Sequence, residues 1–189
     1  MSEASGPGAT DSKDARGPVA VLVGPPGSGK TTVGRALAKA LDVGFRDTDH
    51  DIEASTGSSI PDLFVSQGEA HFRELEAAAV SQALLDHRGV LALGAGAVLD
   101  ASTRERLRGH PVVHLRVGLA AAMERLEMNR SRPLLLGNVR GRWQELAAQR
   151  EPLYEEVATL TVVTDGRSAA DVADALVVEL ARAARGEQE

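Results

Sequence analysis

The stretch VAVLVGPPGSGKTT, residues 19–32, joins a short apolar run to a glycine-rich loop. The apolar run at 19–23 is nearly continuous, which is typical of a strand buried on both faces of a sheet. After the loop, apolar residues recur at the spacing of a helix that begins near Lys30: Val33, Ala36, Leu37, Ala40 and Leu41. The sequence therefore predicts a buried strand, a glycine-rich loop and an amphipathic helix in direct succession.

The loop GPPGSGKT, residues 24–31, matches the phosphate-binding motif G-x-x-x-x-G-K-[ST] in the strand and helix context that the motif requires. Its glycines let backbone N–H groups point at phosphate oxygens, and the helix adds its positive dipole end. Lys30 is expected to reach the β- and γ-phosphates, and the Thr31 hydroxyl is expected to bind Mg²⁺. The loop thus predicts a nucleoside triphosphate site with these contacts: Gly27, Ser28, Gly29, Lys30, Thr31 and Thr32.

Beyond this unit, β-rich runs alternate with longer helical segments. Further strands are predicted at 90–93, 112–117 and 160–163. Helices are predicted at 61–86 (with a possible break at Gly68), 101–108, 118–127, 140–151 and 169–185. Alternation of this kind implies one α/β domain, a parallel sheet with helices on both faces. Ligands of such sheets bind beyond the carboxyl ends of the strands, which here are followed by predicted loops at 24–30, 47–50, 94–97 and after 117.

The bulk composition is that of a globular protein. The chain has 189 residues, of which 43% are hydrophobic and 25% charged, as expected for one domain. Residues 1–18 lack periodicity and a signal-peptide core, so we expect a disordered tail there and the domain at 19–185. No apolar run is long enough for a membrane span, and a cytoplasmic protein is expected. The absence of cysteine excludes disulfides and thiolate chemistry.

The charge of the chain is unevenly distributed. A net charge of −6 argues against a general nucleic-acid binder, because surfaces that track phosphates are usually basic. The segment 125–150 departs from this balance, since it contains six arginines and two glutamates, a net charge of +4. The segment suggests an anionic ligand on that side of the protein.

Other classes of protein with this phosphate loop carry additional sequence motifs. A GTPase is expected to carry [NT]-K-x-D for guanine, and no such tetrapeptide occurs. A motor or transporter ATPase usually has an apolar strand that ends in Asp-Glu, which is also absent. Asp165 follows the run at 160–163, and we interpret it as a turn or helix-entry residue. A compact small-molecule kinase is the remaining class.

Five segments occur in order along most of the chain, from about Val19 to Arg167. They are GPPGSGKTT at 24–32, DTD at 47–49, FRELE at 72–76, LGAGAV at 93–98, and RPLL at 132–135 followed by REPLYEEVA at 150–158. With these segments the chain resembles the shikimate kinase family. The resemblance implies a single P-loop kinase domain with a five-stranded parallel sheet and a mobile lid, commonly as a monomer. It also implies a reaction with MgATP, one Mg²⁺ ion and shikimate, in which the 3-hydroxyl is phosphorylated in chorismate and aromatic amino-acid biosynthesis.

The resemblance implies how shikimate would be held. Arg73 and Arg150 align with the arginines that bind its carboxylate, a group that suits the guanidinium fork. Two plainer alternatives stay open. Arg73 could pair with Glu69 or Glu76 on its own helix, and Arg150 could cap the end of its helix.

The three carboxylates of RDTDHD, residues 46–51, are expected to have different roles. The resemblance implies that Asp49 accepts a hydrogen bond from the 3-hydroxyl and acts as a general base. It implies that Asp47 contacts Mg²⁺ through water, which suits an ion that takes few protein ligands. Asp51 has no role in the family pattern, and we expect a solvated acid in the first turn of a helix.

The loop GAGAV, residues 94–98, departs from the family pattern. The family usually has three glycines where this chain has Gly94, Ala95 and Gly96, and the backbone of this loop is expected to reach the substrate. An alanine N–H can donate equally well if its φ is negative, whereas a positive φ would cost about 1–2 kcal/mol. We therefore predict a negative φ at Ala95.

The resemblance also implies a lid over about 127–140. There Arg132 would fold over the phosphates and act as a catalytic residue beside Lys30, while closure excludes water. Arg125 and Arg167 align with residues that flank adenine, on which arginine can stack.

Some notable residues receive no chemical role. The five histidines make no metal-ligand spacing with one another or with an acid, and Trp143 is expected to pack its helix onto the core. Two other functions stay open. One is another small-metabolite kinase such as a gluconate kinase, which the DTD and FR segments disfavour. The other is a nucleotide-binding module without phosphotransfer, which Asp49, Arg73, Arg132 and Arg150 disfavour.

Overall fold

The computed structural model describes residues 17–128 and 138–186. Five strands form one parallel sheet in the order β2-β3-β1-β4-β5. The strands are β1 Ala20–Val23, β2 Phe45–Asp47, β3 Val90–Ala92, β4 Val112–Arg116 and β5 Leu160–Val163. The α-helices in the described ranges are α1 Lys30–Ala40, α2 Thr48–Thr56, α3 Ile60–Asp86, α4 Ala101–Leu107, α5 Leu119–Met128, α6 Val139–Val157 and α7 Ala169–Ala184. The predicted α/β class with a five-stranded parallel sheet is confirmed.

Both faces of the sheet are covered, which explains the continuous apolar run of β1. Side chains alternate along a strand, and Val21 belongs to an apolar layer with residues of α3, α4 and α6. Leu22 belongs to the opposite layer, with residues of α1 and α7 such as Leu37 and Leu176. Every residue of β1 is buried as a result. The strand that precedes the phosphate loop is thus fixed from both sides.

Helices α3 and α6 are irregular. Gly68 in α3 has φ 82° and ψ 167°, so the helix is kinked there and the possible break is confirmed. Helix α6 runs from Val139 to Val157, past the predicted end at residue 151. Pro152 lies inside it and removes one backbone hydrogen bond. The fully buried Tyr154 follows two residues later, so packing holds the last turns in place.

Strand β2 passes into α2 without an intervening loop. Asp47 is the last residue of β2 and the N-cap of α2, and its side chain accepts a hydrogen bond from the backbone N–H of Asp49. The prediction of a loop at 47–50 is wrong, because this cap starts the helix at once. The carboxylates still lie at the carboxyl edge of the sheet.

The predicted tail and lid lie partly outside the described ranges. Gly17 and Pro18 are buried, while the rest of the predicted tail, residues 1–16, lies outside the described residues. Residues 129–137 of the predicted lid lie outside them as well, and Arg132 is among these. In the ranges that are described, no helix has the length and apolar character needed to cross a membrane.

Candidate active site

The loop between β1 and α1 has a backbone that only its glycines permit. Gly24, Gly27 and Gly29 have φ values of 148°, 81° and 93°, which residues with side chains rarely adopt. A Cβ on Gly24 would lie 2.5 Å from the carbonyl oxygen of Leu115. A Cβ on Gly27 would lie 3.0 Å from the carbonyl oxygen of Ala122. The bare backbone of this loop therefore packs against β4 and α5.

A cleft of about 360 Å³ opens over the loop. It gathers polar side chains from four elements: Lys30, Thr31 and Thr32 of α1, Asp47 of β2, Asp49 of α2 and Arg125 of α5. They meet because β1 and β2 flank β3 and end at the same edge of the parallel sheet. The Lys30 ammonium donates hydrogen bonds to the carbonyl oxygens of Gly24, at 2.8 Å, and Pro25, at 3.2 Å. A cation is thus held over the N-terminus of α1, where phosphate binds favourably.

Thr31 and Asp47 form one corner of the cleft. The Thr31 hydroxyl donates a hydrogen bond to Oδ2 of Asp47 at 2.8 Å. The other oxygen of Asp47 accepts from the Asp49 N–H at 3.1 Å. A hydroxyl and one carboxylate beside a phosphate loop fit Mg²⁺, which keeps several waters and takes few protein ligands. No group of three or more His, Cys, Asp or Glu side chains that could hold a metal ion occurs in the described ranges.

Two side chains from other helices donate hydrogen bonds to the phosphate loop. Nη1 of Arg125 donates to the carbonyl oxygen of Gly27 at 3.1 Å and to the hydroxyl of Thr164 at 2.9 Å. Nε1 of Trp143 donates to the carbonyl oxygen of Pro26 at 2.9 Å. Arg125 therefore links the loop to the end of β5 as well as lining the cleft. Trp143 packs α6 onto the core as expected, and its hydrogen bond to the loop was not foreseen.

The loop after β3 forms the second half of the site. A Cβ on Gly94 would lie 2.5 Å from Oδ1 of Asp49 and 2.5 Å from Oε1 of Glu76. A Cβ on Gly96 would overlap the guanidinium of Arg73. The N–H of Gly94 donates to the hydroxyl of Thr48 at 3.1 Å, inside the protein. These glycines thus allow charged side chains to lie directly against the backbone.

Glu76 is a site residue that sequence reasoning treated only as an ion-pair partner. It is 3% exposed, and burial raises its pKa, an effect that Arg73 opposes and Asp49 reinforces. Its signal in the sequence was weak, because a glutamate three residues after an arginine on a helix is usually a surface pair. Burial is what distinguishes it, and burial depends on the loop at Gly94.

Arg73 makes the ion pairs that the plainer alternative proposed. Its guanidinium pairs with Glu76 and with Glu69, the latter at 3.1 Å. Burial lowers the pKa of Arg73 and the two glutamates raise it, with a net shift above the ordinary value. Since the guanidinium also lies against Gly96, these ion pairs orient it towards the loop after β3.

Arg150 lies at the other side of the same loop. It is 8% exposed, and its Nη1 donates to the carbonyl oxygen of Ala95 at 3.2 Å. The alternative that Arg150 caps its helix is wrong, because α6 continues to Val157. The hydroxyl of Tyr154 donates to the same carbonyl oxygen at 2.7 Å, and burial raises the pKa of this tyrosine.

The backbone of Ala95 has the predicted negative φ. Among the described residues, Asp42 is the one non-glycine residue with a positive φ, so the prediction for Ala95 is confirmed.

Asp51 lies in the first turn of α2, as predicted, but it is not simply solvated. Its carboxylate accepts from Nε of Arg46 at 2.6 Å, and the same guanidinium also pairs with Asp86. The expected solvated acid is instead paired, because β2 places Arg46 beside the start of α2. Asp51 thereby joins a structural ion pair at the edge of the sheet.

The remaining predicted residues lie near the end of β5. Nη2 of Arg167 donates to the carbonyl oxygen of Asp171 at 2.9 Å, on the surface. Asp165 is a turn residue, as interpreted from the sequence, and both of its carboxylate oxygens accept from the N–H of Gly118 at 3.0 Å. Its contact ties the turn before α7 to the loop after β4. The adenine contacts predicted for Arg125 and Arg167 remain predictions.

Comparisons with known proteins agree with this geometry. A model of the shikimate kinase family matches residues 26–181. A shikimate kinase of Salinispora tropica is 60% identical over 151 residues, which are 80% of this chain and 90% of the relative. Among solved structures, a shikimate kinase of Acinetobacter baumannii in complex with shikimate is 37% identical with a TM-score of 0.83, covering 88% of this chain and 94% of that one.

A gluconokinase of Sinorhizobium meliloti is less similar. It is 23% identical with a TM-score of 0.57, covers 88% of this chain and 93% of that one, and shares the fold alone. The sequence identity and coverage of the shikimate kinases agree with the arrangement of both halves of the site. The chain belongs to the shikimate kinase family.

Proposed function

We propose that this protein transfers the γ-phosphoryl group of MgATP to the 3-hydroxyl of shikimate, which yields shikimate 3-phosphate and ADP. The position of Asp49 is the observation that carries the proposal. Its carboxylate lines the phosphate cleft and also lies against Gly94 of the loop after β3. It therefore stands where a hydroxyl held by the second half of the site would meet a phosphate held by the first.

The nucleotide half supplies the phosphate cradle. Backbone N–H groups from Gly27 to Thr32 and the ammonium of Lys30 would bind the phosphates. Thr31 would ligate Mg²⁺ and Asp47 would hold one of its waters, as the pairing of their oxygens supports. Bound Mg²⁺ would neutralise negative charge on the β- and γ-phosphates. Arg125 and Arg167 would flank the adenine.

The substrate half recognises a small carboxylate with hydroxyls. Arg73 and Arg150 would bind the shikimate carboxylate, and the loop Gly94, Ala95 and Gly96 would approach the ring. The 3-hydroxyl oxygen would attack the γ-phosphorus, the bond from that phosphorus to the ADP oxygen would break, and the hydroxyl proton would pass to Asp49. Arg132, outside the described residues, would stabilise the charge that spreads over the transferred group.

The proposal also covers the partners, the oligomeric state and the location of the enzyme. Its partners are ATP and shikimate, and we propose that it binds neither nucleic acid nor a membrane. We propose that it is a monomer in the cytoplasm. The net charge of −6 supports the exclusion of nucleic acid. Light scattering after gel filtration tests the monomer, and a mass twice that of the chain would contradict it.

ADP release is the measurement that tests the function. The purified protein is assayed with MgATP alone and with shikimate, quinate or gluconate added in turn. We expect shikimate to stimulate ADP release strongly and gluconate to leave it at the background rate. A response to gluconate without one to shikimate would assign the site to a different metabolite. ADP release that ignores all three acids would indicate a nucleotide-binding module.

A further inference from the structure

Helix α6 carries a hydrogen-bond donor to each half of the site. Near its N-terminal end, Nε1 of Trp143 donates to the carbonyl oxygen of Pro26 in the phosphate loop at 2.9 Å. Near its C-terminal end, the hydroxyl of Tyr154 donates to the carbonyl oxygen of Ala95 in the loop after β3 at 2.7 Å. Neither side chain lines the phosphate cleft. Both acceptors are backbone atoms of the two loops that would hold the two substrates.

Both donors are fixed by packing. Trp143 is 5% exposed and Tyr154 is fully buried. Trp143 packs between α5 and α6 in one apolar cluster, and Tyr154 packs against the sheet in another. A buried indole N–H or phenol O–H needs a partner, because leaving it unpaired is costly. The two side chains are therefore rigid connections from α6 to the loops.

The distance between these connections is set by the helix. Trp143 and Tyr154 lie eleven positions apart, roughly 16 Å along a straight helix at about 1.5 Å per residue. Pro152 lies between them and removes one backbone hydrogen bond. Because each end is anchored in its own apolar cluster, the spacing is maintained across this weak point.

A second connection exists at the start of α2. There Thr31 donates to Asp47, and the N–H of Gly94 donates to Thr48, the next residue. The start of α2 thus joins the phosphate loop to the loop after β3 through neighbouring residues. Two separate bridges, α2 and α6, hold the loops in one relative position.

We propose that Trp143 and Tyr154 are positioning residues that use α6 to set the distance between the bound nucleotide and the bound acceptor. This inference rests on the proposed function, because it concerns the alignment of two substrates for transfer. Displacement of about 1 Å between reacting groups can lower a rate by about a hundredfold. The two bonds therefore act on turnover more than on the affinity of either loop for its ligand.

Three variants test the inference by steady-state kinetics: Trp143→Phe, Tyr154→Phe and the double variant. Both replacements keep an aromatic ring and remove the donor. We expect each single change to lower kcat by about tenfold, with KM for ATP and for shikimate nearly unchanged. The double variant should be about as slow as the slower single variant, because loss of either donor already breaks the connection through α6, while the connection through α2 remains in all three variants. Effects that multiply to about a hundredfold would show two independent local roles and overturn the proposal.

Controls separate alignment from stability. Leu153 on α6 packs against the same apolar cluster as Tyr154 but makes no bond to either loop. We expect Leu153→Ala to lower Tm and to leave kcat unchanged. An equal loss of kcat in Leu153→Ala would show that helix stability, not the two donors, is what matters. If Trp143→Phe does not fold, benzothienylalanine at position 143 keeps the shape of tryptophan without its N–H and replaces that variant.

Fluorescence provides a measurement that does not require the substrate that accepts the phosphoryl group. Trp143 is the only tryptophan, so protein emission reports the end of α6 that is bonded to the phosphate loop. We expect MgADP to change this emission in the wild type and in Tyr154→Phe. Unchanged emission at saturating MgADP would overturn the connection to the loop. Failure of shikimate to stimulate ADP release would contradict the proposed function instead, so the two failures are distinguishable.

Discussion

The hydroxyl of Thr31 donates a hydrogen bond to Asp47, and the same carboxylate caps the helix that carries Asp49. The first turn of α1 and the first turn of α2 are thereby joined through one side chain. Both turns lie at the carboxyl edge of the sheet, on either side of β3. The proposed magnesium corner and the proposed base are thus parts of one rigid unit.

Replacing Asp47 by asparagine tests the magnesium corner. Asparagine is as good an N-cap as aspartate, so we expect Tm to stay close to the wild-type value. Loss of the charge should raise the Mg²⁺ concentration for half-maximal activity by about 10–100-fold, as loss of outer ligands commonly does. A Mg²⁺ titration at fixed ATP measures this. An unchanged midpoint would remove Asp47 from the metal site.

Asp49 and Asp51 form a matched pair on α2. Asp49→Asn is expected to lower kcat by about 10²–10⁴-fold, since it removes the proton acceptor, while ATP still binds in calorimetry. Asp51→Asn loses only the partly exposed pair with Arg46, which contributes at most about 1 kcal/mol. Its turnover should stay within a few-fold of wild type. An equal loss in both variants would mean that the two roles are wrongly assigned.

Gly94→Ala tests the close approach of the loop after β3. The added Cβ would lie 2.5 Å from carboxylate oxygens of Asp49 and Glu76, and overpacking of this kind costs about 1–3 kcal/mol. We expect kcat/KM for shikimate to fall by at least about tenfold, which matches that cost. Gly44→Ala is the control, because its Cβ would meet only His87 at 3.5 Å. Similar kinetics for the two variants would argue against crowding at Gly94.

The buried carboxyl of Glu76 predicts a dependence of stability on pH. Burial raises its pKa above the ordinary value of 4.5, so this group favours the folded state when protonated. Its contribution is present below pH 4.5 and is lost as pH rises through the higher folded pKa. Relative to wild type, Glu76→Gln should therefore gain Tm as pH increases. The exposed Glu74 supplies the control Glu74→Gln, and parallel Tm curves for both variants would contradict the prediction.

The sequence was most informative where a structure is local. The phosphate loop, the strands of the buried sheet and the kink at Gly68 follow from spacing and glycine placement within a few residues. Strand β2 has three half-buried residues at the edge of the sheet, too few for a periodic pattern. The predicted end of α6 at residue 151 falls just before Pro152, and the helix continues past it because Tyr154 is packed in the core.

The contacts missed in the sequence are long-range bonds to backbone atoms. Trp143 and Pro26 lie 117 positions apart, and Tyr154 and Ala95 lie 59 apart. A backbone carbonyl is present at every position, so no residue type marks it as an acceptor. The importance of Glu76 was missed for a related reason, because only the folded loop at Gly94 turns a surface ion pair into a buried one.

The carbonyl oxygen of Ala95 accepts two hydrogen bonds, which bears on the amino-acid changes that the loop after β3 can tolerate. Arg150 and Tyr154 bind a main-chain atom, so they place no demand on the side chain at position 95. Gly94 and Gly96 leave no room for any side chain. A library randomised over 94–96 should therefore return active clones that differ at the middle residue alone.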